Sequence, residues 1–173
     1  MLGDTAVAVN PKDERYQEYI GKTILLPLTN REIPIIADPF VDPTFGTGAV
    51  KVTPAHDPND YQMGLNHTLP FITMMTPDGF VNENGATYVG LTMAEARLKV
   101  VEDMKAQGLL EKIVPHTHRI GLSYRSKAVI EPYLSKQWFI KMSSFAEKLR
   151  KSVENERFKM IPANWKATYF HWI

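Results

Sequence analysis

Cysteine is absent from the 173-residue sequence, and this absence excludes several kinds of chemistry. Disulfides, thiolate metal sites and cysteine nucleophiles all require the missing side chain. The sequence also has no run of about 18 apolar residues, so we expect no membrane span and no membrane partner. Residues 1–13 lack the basic and apolar regions of a signal peptide. We therefore predict a cytoplasmic protein.

A strong excess of charge of one sign is also missing, because the formal net charge is only +1. Strong non-specific binding to nucleic acid normally needs a larger positive charge. The cations are unevenly distributed, however, and six of them lie between residues 112 and 141: Lys112, Arg119, Arg125, Lys127, Lys136 and Lys141. This pattern is compatible both with a local basic surface and with a solvated face that binds nothing.

Apolar residues are plentiful enough to build a core, since 44% of the chain is hydrophobic and 23% is charged. The first half contains apolar runs of strand length, at residues 5–9, 22–28, 32–37, 49–53 and 71–75. Thr29-Asn30-Arg31 separates the second run from the third and predicts a hairpin. The sequence therefore predicts a mostly β fold with added helices.

The clearest helix signal covers residues 93–107. Thr92 and Glu95 have the spacing of a capping box, and Gly108 stands where a helix commonly ends in the left-handed conformation. Apolar residues at helical spacing predict which face is buried, namely Ala94, Leu98 and Val101.

A further helix is predicted over residues 145–154, where Ser144 and Glu147 again have the spacing of a capping pair. The chain ends in an aromatic-rich stretch, which suggests that it packs on a partner that the sequence does not include. We divide the chain into a principal domain at residues 1–142 and a helix with a connector at residues 143–173.

The densest cluster of reactive residue types is GTGAVKVTPAHDPND at residues 46–60. Alternation along a strand places Lys51 and Thr53 on one face. Asp57 suits an N-cap and Pro58 the first position of a helix that follows directly. A strand-to-helix junction therefore collects a cation, a hydroxyl, an imidazole and two carboxylates, namely Lys51, Thr53, His56, Asp57 and Asp60. Such a junction can recognise a small polar ligand.

Each of these residues also has a purely structural interpretation. Asp57 can be only a helix cap and Asp60 only a partner of the helix dipole. Lys51 and Thr53 can form the outward face of a half-exposed strand, and His56 can be structural.

Other kinds of site have weaker support. His56 and His67, together with the two aspartates between them, match no familiar metal-ligand spacing, and His116 with His118 would supply only two ligands. We assign no metal site. No serine, histidine and acid occur in a recognisable catalytic context, so hydrolysis by this domain would use water as the nucleophile.

The 46–60 segment resembles the editing domain that is inserted into valyl-tRNA synthetases, which are class I aminoacyl-tRNA synthetases. Three further stretches are similar to the valyl type: LGDTAVAVNP at 2–11, GKTILLPLTNREIPIIAD at 21–38 and HRIGLSYRSKAVIEPYLSKQWF at 118–139. Residues 162–173 resemble the segment that leads back to the aminoacylation core. The resemblance covers essentially the whole chain.

The resemblance implies a β-barrel with added helices that receives the 3′ end of mischarged tRNA(Val) and hydrolyses its threonyl ester. Asp60 falls on the aspartate that holds the substrate ammonium group, and Lys51, Thr53 and Asp57 fall on positions that recognise the threonine hydroxyl. Support is implied from His56 and from the loop Gly46, Thr47 and Gly48. The domain itself would need no cofactor, whereas ATP and Mg²⁺ would serve the parent enzyme, which ligates valine to tRNA(Val).

Two departures from the family pattern have consequences. A threonine-rich stretch resembling TTRPET precedes LGD in the family and lines the pocket, so we expect one wall to lie outside this sequence. Many relatives have Cys-x-x-Cys where this chain has Ser123 and Ser126.

Two alternatives to an active hydrolase stay open: a folded, catalytically silent tRNA-binding fragment, and a free-standing hydrolase of unrelated substrates.

Overall fold

A computed structural model of the protein describes residues 1–117 and 119–173, so His118 of the weak two-histidine site lies outside the described residues. The chain divides into two compact units, Met1–Leu134 and Ser135–Ile173. The predicted division between residues 142 and 143 stays a prediction.

A mixed four-stranded sheet forms the centre of the first unit. Its strands are β1 (Ala6–Val9), β2 (Thr23–Leu26), β3 (Arg31–Ala37) and β4 (Ala49–Val52), in the order β2-β3-β1-β4. Strands β1 and β3 are parallel, and the other two neighbouring pairs are antiparallel. The predicted hairpin is confirmed as β2 and β3, with Asn30 in its turn at a φ of 52°.

The sheet is open, and the expected barrel is not confirmed. Among the described residues, β2 and β4 each have one neighbouring strand, so the sheet does not close on itself. The expectation of a mostly β chain is wrong, because each of the four α-helices is longer than the longest strand. The run at residues 71–75 contributes only the single bridge between Met75 and Val81.

Helix α1 (Pro58–Asn66) covers one part of the sheet and begins where the sequence predicts. Met63 of this helix packs with Ala6, Ala8 and Val52 of the sheet in the first core cluster. Gly64 allows the close approach, because a Cβ there would lie 2.7 Å from the Cβ of Pro54. The helix is thereby fixed against the end of β4.

Helix α2 (Met93–Ala106) has the predicted capping box between Thr92 and Glu95, and Gly108 follows it at a φ of 69°. Its predicted buried face is wrong. Leu98 is 69% exposed, whereas Ala96 is buried in a second core cluster with Leu2, Met74, Val81 and Tyr88. The helix has two apolar stripes, and packing against that cluster selects the one that contains Ala96.

The second unit contains α3 (Ser143–Glu154) and α4 (Trp165–Trp172). The predicted cap of α3 is wrong, because the helix begins at Ser143, before the expected cap residue, and its N-cap residue, Met142, makes no side-chain capping bond. Among its residues Val153 is buried, while Phe145 is 54% exposed. Within the described part of the chain, no helix has the length and apolarity needed to cross a membrane.

Candidate functional site

The junction between β4 and α1 is built by the side chain of Asp57. Its Oδ1 accepts hydrogen bonds from the backbone N–H groups of Asn59, at 2.8 Å, and Asp60, at 3.2 Å. These bonds satisfy amides that the first turn of a helix leaves without partners. Pro58 occupies the first turn, where its missing N–H is not needed. The cap fixes the direction in which the helix leaves the strand.

Asp60 is the centre of the polar groups at this junction, and it is buried. Its Oδ2 accepts hydrogen bonds from the backbone N–H of Thr53, at 2.8 Å, and from Nζ of Lys51, at 3.0 Å. Its Oδ1 has no hydrogen-bond partner among the described residues. One carboxylate oxygen therefore joins the helix to the strand.

The side chain of Thr53 points to a residue that the sequence reasoning missed. Its Oγ1 donates a 2.6 Å hydrogen bond to Oδ1 of Asp4, and both side chains are buried. The α-ammonium of Met1 lies 3.3 Å from the same oxygen. Because the hydroxyl proton is used in the bond to Asp4, Oγ1 presents its lone pairs as an acceptor. An aspartate directly before β1 is a signal in the sequence, although an unspecific one.

A cavity of about 300 Å³ lies beside Thr53. Its lining is mainly apolar and includes Leu2, Met74, Val81, Met93, Val100 and Val101. Gly3 also lines it, and a Cβ there would lie 2.6 Å from Cγ of Met74. Among the four residues assigned to substrate binding, Thr53 lies in this lining. Lys51, Asp57 and Asp60 are not among its lining residues.

His56 makes two hydrogen bonds that define the tautomer of its neutral ring. Its Nε2 accepts the backbone N–H of Met74 at 2.8 Å, so the proton of a neutral ring is on Nδ1. Nδ1 lies 2.8 Å from the carbonyl oxygen of Pro132 and donates to it. With both nitrogens engaged, the imidazole joins three segments of the chain and has no free lone pair for a proton from water.

The loop Gly46, Thr47 and Gly48 lies at the other end of β4 from Thr53, so the structure does not bring it together with Asp60. A Cβ at Gly48 would meet Nη2 of Arg15 at 2.6 Å. Arg15 holds Asp13 by a hydrogen bond that keeps the pKa of this carboxyl below its usual range. The loop is therefore packed against an ion pair of its own.

The residues considered as metal ligands also separate. Nε2 of His67 lies 2.9 Å from Oδ2 of Asp38, away from the junction, while His56 is engaged by backbone groups. The arrangement at the junction is consequently a hydrogen-bonded polar site, in which Asp4, Thr53, Asp60 and Lys51 are linked in series.

Comparison with known proteins shows that the segment containing this junction matches a known domain family. Residues 10–118 match the family "Leucyl-tRNA synthetase, editing domain". Over all 173 residues the chain is 67% identical to the valine–tRNA ligase of Protochlamydia amoebophila, 54% to that of Bdellovibrio bacteriovorus and 52% to that of Thermotoga maritima. It covers 18%, 19% and 20% of these relatives, respectively, or about a fifth of their length.

The family match covers β2 to β4, α1 and α2, and thus the junction from Lys51 to Asp60. The valine–tRNA ligases align with the chain from end to end. The chain therefore belongs to the leucyl-tRNA synthetase editing-domain family, in the form found as a segment of valine–tRNA ligases.

Proposed function

We propose that this chain is an aminoacyl-tRNA deacylase domain that hydrolyses threonine from mischarged tRNA(Val). Its partners are the 3′ end of tRNA(Val), the threonyl group and the remainder of a synthetase that ligates valine in the cytoplasm. An apolar synthetic pocket rejects the extra hydroxyl of threonine by only about a hundredfold, the magnitude typical of this enzyme class, so a second, hydroxyl-demanding site is needed.

The proposal rests mainly on the Asp60 carboxylate, whose two oxygens differ in their hydrogen bonding. Its Oδ2 is held by Thr53 and Lys51, and its Oδ1 has no partner among the described residues. A free oxygen on a buried carboxylate, next to a residue that lines a ligand-sized cavity, suits the α-ammonium group of an aminoacyl ester. An ion pair of that kind also fixes the ester relative to the protein.

Recognition of the threonine hydroxyl is assigned to Lys51, Thr53 and Asp57. Thr53 lines the cavity, and its hydrogen bond to Asp4 leaves Oγ1 able to accept a hydrogen bond. A threonine hydroxyl can donate to Oγ1, whereas a valine methyl group cannot. Valine would leave the lone pairs of the buried Thr53 hydroxyl without this donor, at a cost of about 1–3 kcal/mol.

Water is the proposed nucleophile. Both ring nitrogens of His56 are occupied by backbone groups, and the chain has no cysteine. The terminal ribose hydroxyl of the substrate is available to assist the water. The domain needs no cofactor in this mechanism, and ATP and Mg²⁺ serve the aminoacylation core of the parent enzyme.

The test is a deacylation assay on a synthetase that carries this chain as its editing segment, with threonyl-tRNA(Val) and valyl-tRNA(Val) as substrates. We expect faster clearance of the threonyl ester. Asp60→Asn should reduce that clearance by about 30- to 4,000-fold, the equivalent of roughly 2–5 kcal/mol for an unpaired buried charge. Valine activation should not change.

Asp78→Asn is the matched control, because Asp78 is an exposed carboxylate in a turn of the same unit. Equal clearance by the two variants would remove Asp60 from the site. If the protein binds tRNA(Val) but hydrolyses neither ester, the domain is the catalytically silent RNA-binding module, and the proposal is wrong.

A further inference from the structure

A small hairpin over residues 121–130 lies in the first unit and outside its four-stranded sheet. Leu122 and Val129 form its antiparallel bridge. The backbone N–H of Ile130 donates to the carbonyl of Gly121 at 3.0 Å, and that of Ser123 donates to Ala128 at 2.9 Å. These bonds give the segment a defined shape although almost all of its side chains are exposed.

Positive charge is concentrated in the hairpin and in the segment directly before it. No aspartate or glutamate occurs from residue 112 to residue 130, and the cations of this stretch are Lys112, Arg119, Arg125 and Lys127. All four are exposed. In the part of the chain that the structure describes, none of them forms an ion pair with a carboxylate. The +1 net charge of the whole chain conceals this local excess.

An aromatic ring accompanies the cations at the end of the hairpin. Tyr124 is 78% exposed, and the guanidinium carbon of Arg125 lies 5.3 Å from the centre of its ring. A cation next to an exposed aromatic face is the combination on which unpaired RNA bases stack while their phosphates are neutralised.

Two contacts connect the hairpin to the candidate site. Directly after it, the carbonyl of Pro132 accepts the Nδ1 proton of His56, the neighbour of Asp57. Glu131 lies 3.7 Å from Arg97, which lines the cavity beside Thr53. The basic hairpin is therefore attached to the same junction that is proposed to hold the aminoacyl ester.

We propose that the hairpin over residues 121–130 is an RNA-binding arm that holds the single-stranded 3′ end of the substrate while its ester enters the site. This inference rests on the proposed function and deepens it, because it assigns the surface that contacts the RNA. Arg125 and Lys127 of the hairpin, with Arg119 two residues before it, neutralise phosphates, and Tyr124 stacks on an unpaired base.

A protein partner is the competing occupant, because Ile120, Leu122 and Val129 are each at least 50% exposed. The charge pattern favours RNA. An apolar protein interface is depleted of charged residues at its centre, whereas uncompensated cations interleaved with an aromatic are typical of surfaces that bind single strands.

The first experiment measures binding of a 5′-labelled, uncharged tRNA(Val) acceptor-stem hairpin by fluorescence anisotropy over a range of salt concentrations. The chain carrying R119Q, R125Q and K127Q is compared with a control carrying K12Q, K22Q and K105Q, which removes the same charge from exposed positions elsewhere in the first unit. We expect the hairpin variant to bind at least tenfold more weakly. The slope of log K, where K is the association constant, against the logarithm of the salt concentration should become less steep by about 2. Three phosphate contacts are lost, and each contributes roughly 0.7 to the slope for a single strand.

The second experiment tests stacking. Tyr124→Ala should weaken binding of RNA with an unpaired 3′ end by about tenfold and leave binding of a blunt duplex unchanged, since stacking contributes roughly 1–3 kcal/mol per base. Tyr124→Phe keeps the ring and should bind as the unaltered chain does.

Failure of the unaltered chain to bind the RNA would overturn the inference, as would equal losses in the hairpin and control variants. If the hairpin variant binds the RNA as tightly as the unaltered chain does, the inference is wrong, and the exposed apolar residues of this segment indicate a protein partner instead. Binding that falls as expected, in a protein that hydrolyses no ester, would contradict only the proposed function, so the two failures are distinguishable.

Discussion

Asp60 shows how one side chain can serve the fold and a candidate site at once. Its Oδ2 joins α1 to the end of β4, and its Oδ1, which has no hydrogen-bond partner among the described residues, is the oxygen proposed to bind the substrate ammonium group. The structural interpretation of the sequence and the functional one are therefore compatible. Stability and ester hydrolysis must be measured separately in any variant of this residue.

Asp4 should act as a positioning residue for Thr53, because it accepts the hydroxyl proton of Thr53 at 2.6 Å. We expect Asp4→Ala to lower the preference for threonyl over valyl ester by about tenfold, since Oγ1 can then rotate away. Loss of this buried bond should also cost about 1–3 kcal/mol of unfolding free energy. The ratio of the two deacylation rates and a urea titration measure these effects.

Asp4→Asn provides the control, because its amide oxygen can still accept the bond. It should recover most of the selectivity. A threonine preference that is the same in the Ala variant as in the unaltered chain would show that Asp4 serves only stability.

Asp57 can be tested in the same way, because its cap and its proposed contact with substrate depend on different properties. Asparagine caps helices about as well as aspartate does, so Asp57→Asn should keep thermal stability while changing the threonine-to-valine ratio. Asp57→Ala should lose about 1 kcal/mol in addition. If Asp57→Asn leaves the ratio unchanged, Asp57 is a helix cap alone.

At the scale of elements, a buried hydroxyl adds to the apolar packing that holds α2. Tyr88 is 2% exposed, and its hydroxyl donates a 2.7 Å hydrogen bond to Asp103 of the helix. Burial raises the pKa of Tyr88 to about 12, and the bond to Asp103 acts in the same direction. The folded state thus favours the protonated phenol more strongly than the unfolded state does.

The pH dependence of stability follows from that difference. Because the folded pKa of Tyr88 exceeds the unfolded value of about 10, its contribution is complete below pH 10 and is lost as the pH rises toward 12. Tyr88→Phe should cost about 1.5–3 kcal/mol at pH 7, the range for a hydrogen bond to a charged group. The difference in unfolding free energy between this variant and the unaltered chain should become smaller above pH 10, as measured by urea titrations. Tyr124→Phe, at an exposed ring, should show neither effect.

At the scale of the whole molecule, the first unit contains all the residues of this chain to which the proposed chemistry and RNA binding are assigned. The sheet, both core clusters, the junction and the hairpin over residues 121–130 all lie within Met1–Leu134. A chain shortened after Leu134 should therefore fold cooperatively and bind the acceptor-stem RNA with an affinity close to that of the longer chain. Circular dichroism during thermal unfolding and anisotropy test this expectation. Non-cooperative melting of the shortened chain would contradict it.

Local sequence signals were sufficient where the physical cause is local. The β2–β3 hairpin, the start of α1 at its aspartate cap and the capping box of α2 depend on a few adjacent residues, so their patterns predict them correctly. The same holds for the residues that gather at the junction, since a short strand and a helix cap place Lys51, Thr53 and Asp60 together.

Features that depend on distant contacts were decided only by the tertiary structure. The sequence of α2 allows two apolar faces, and burial of Ala96 against Tyr88 chose between them. Whether the sheet closes depends on strand pairing across the whole unit, which no local pattern specifies. The contact between Asp4 and Thr53 joins residues 49 apart in the sequence, and His56 reaches Pro132 across 76. The sequence by itself determined the family and the residue types at the junction, while long-range packing determined which partners Thr53 and His56 have there.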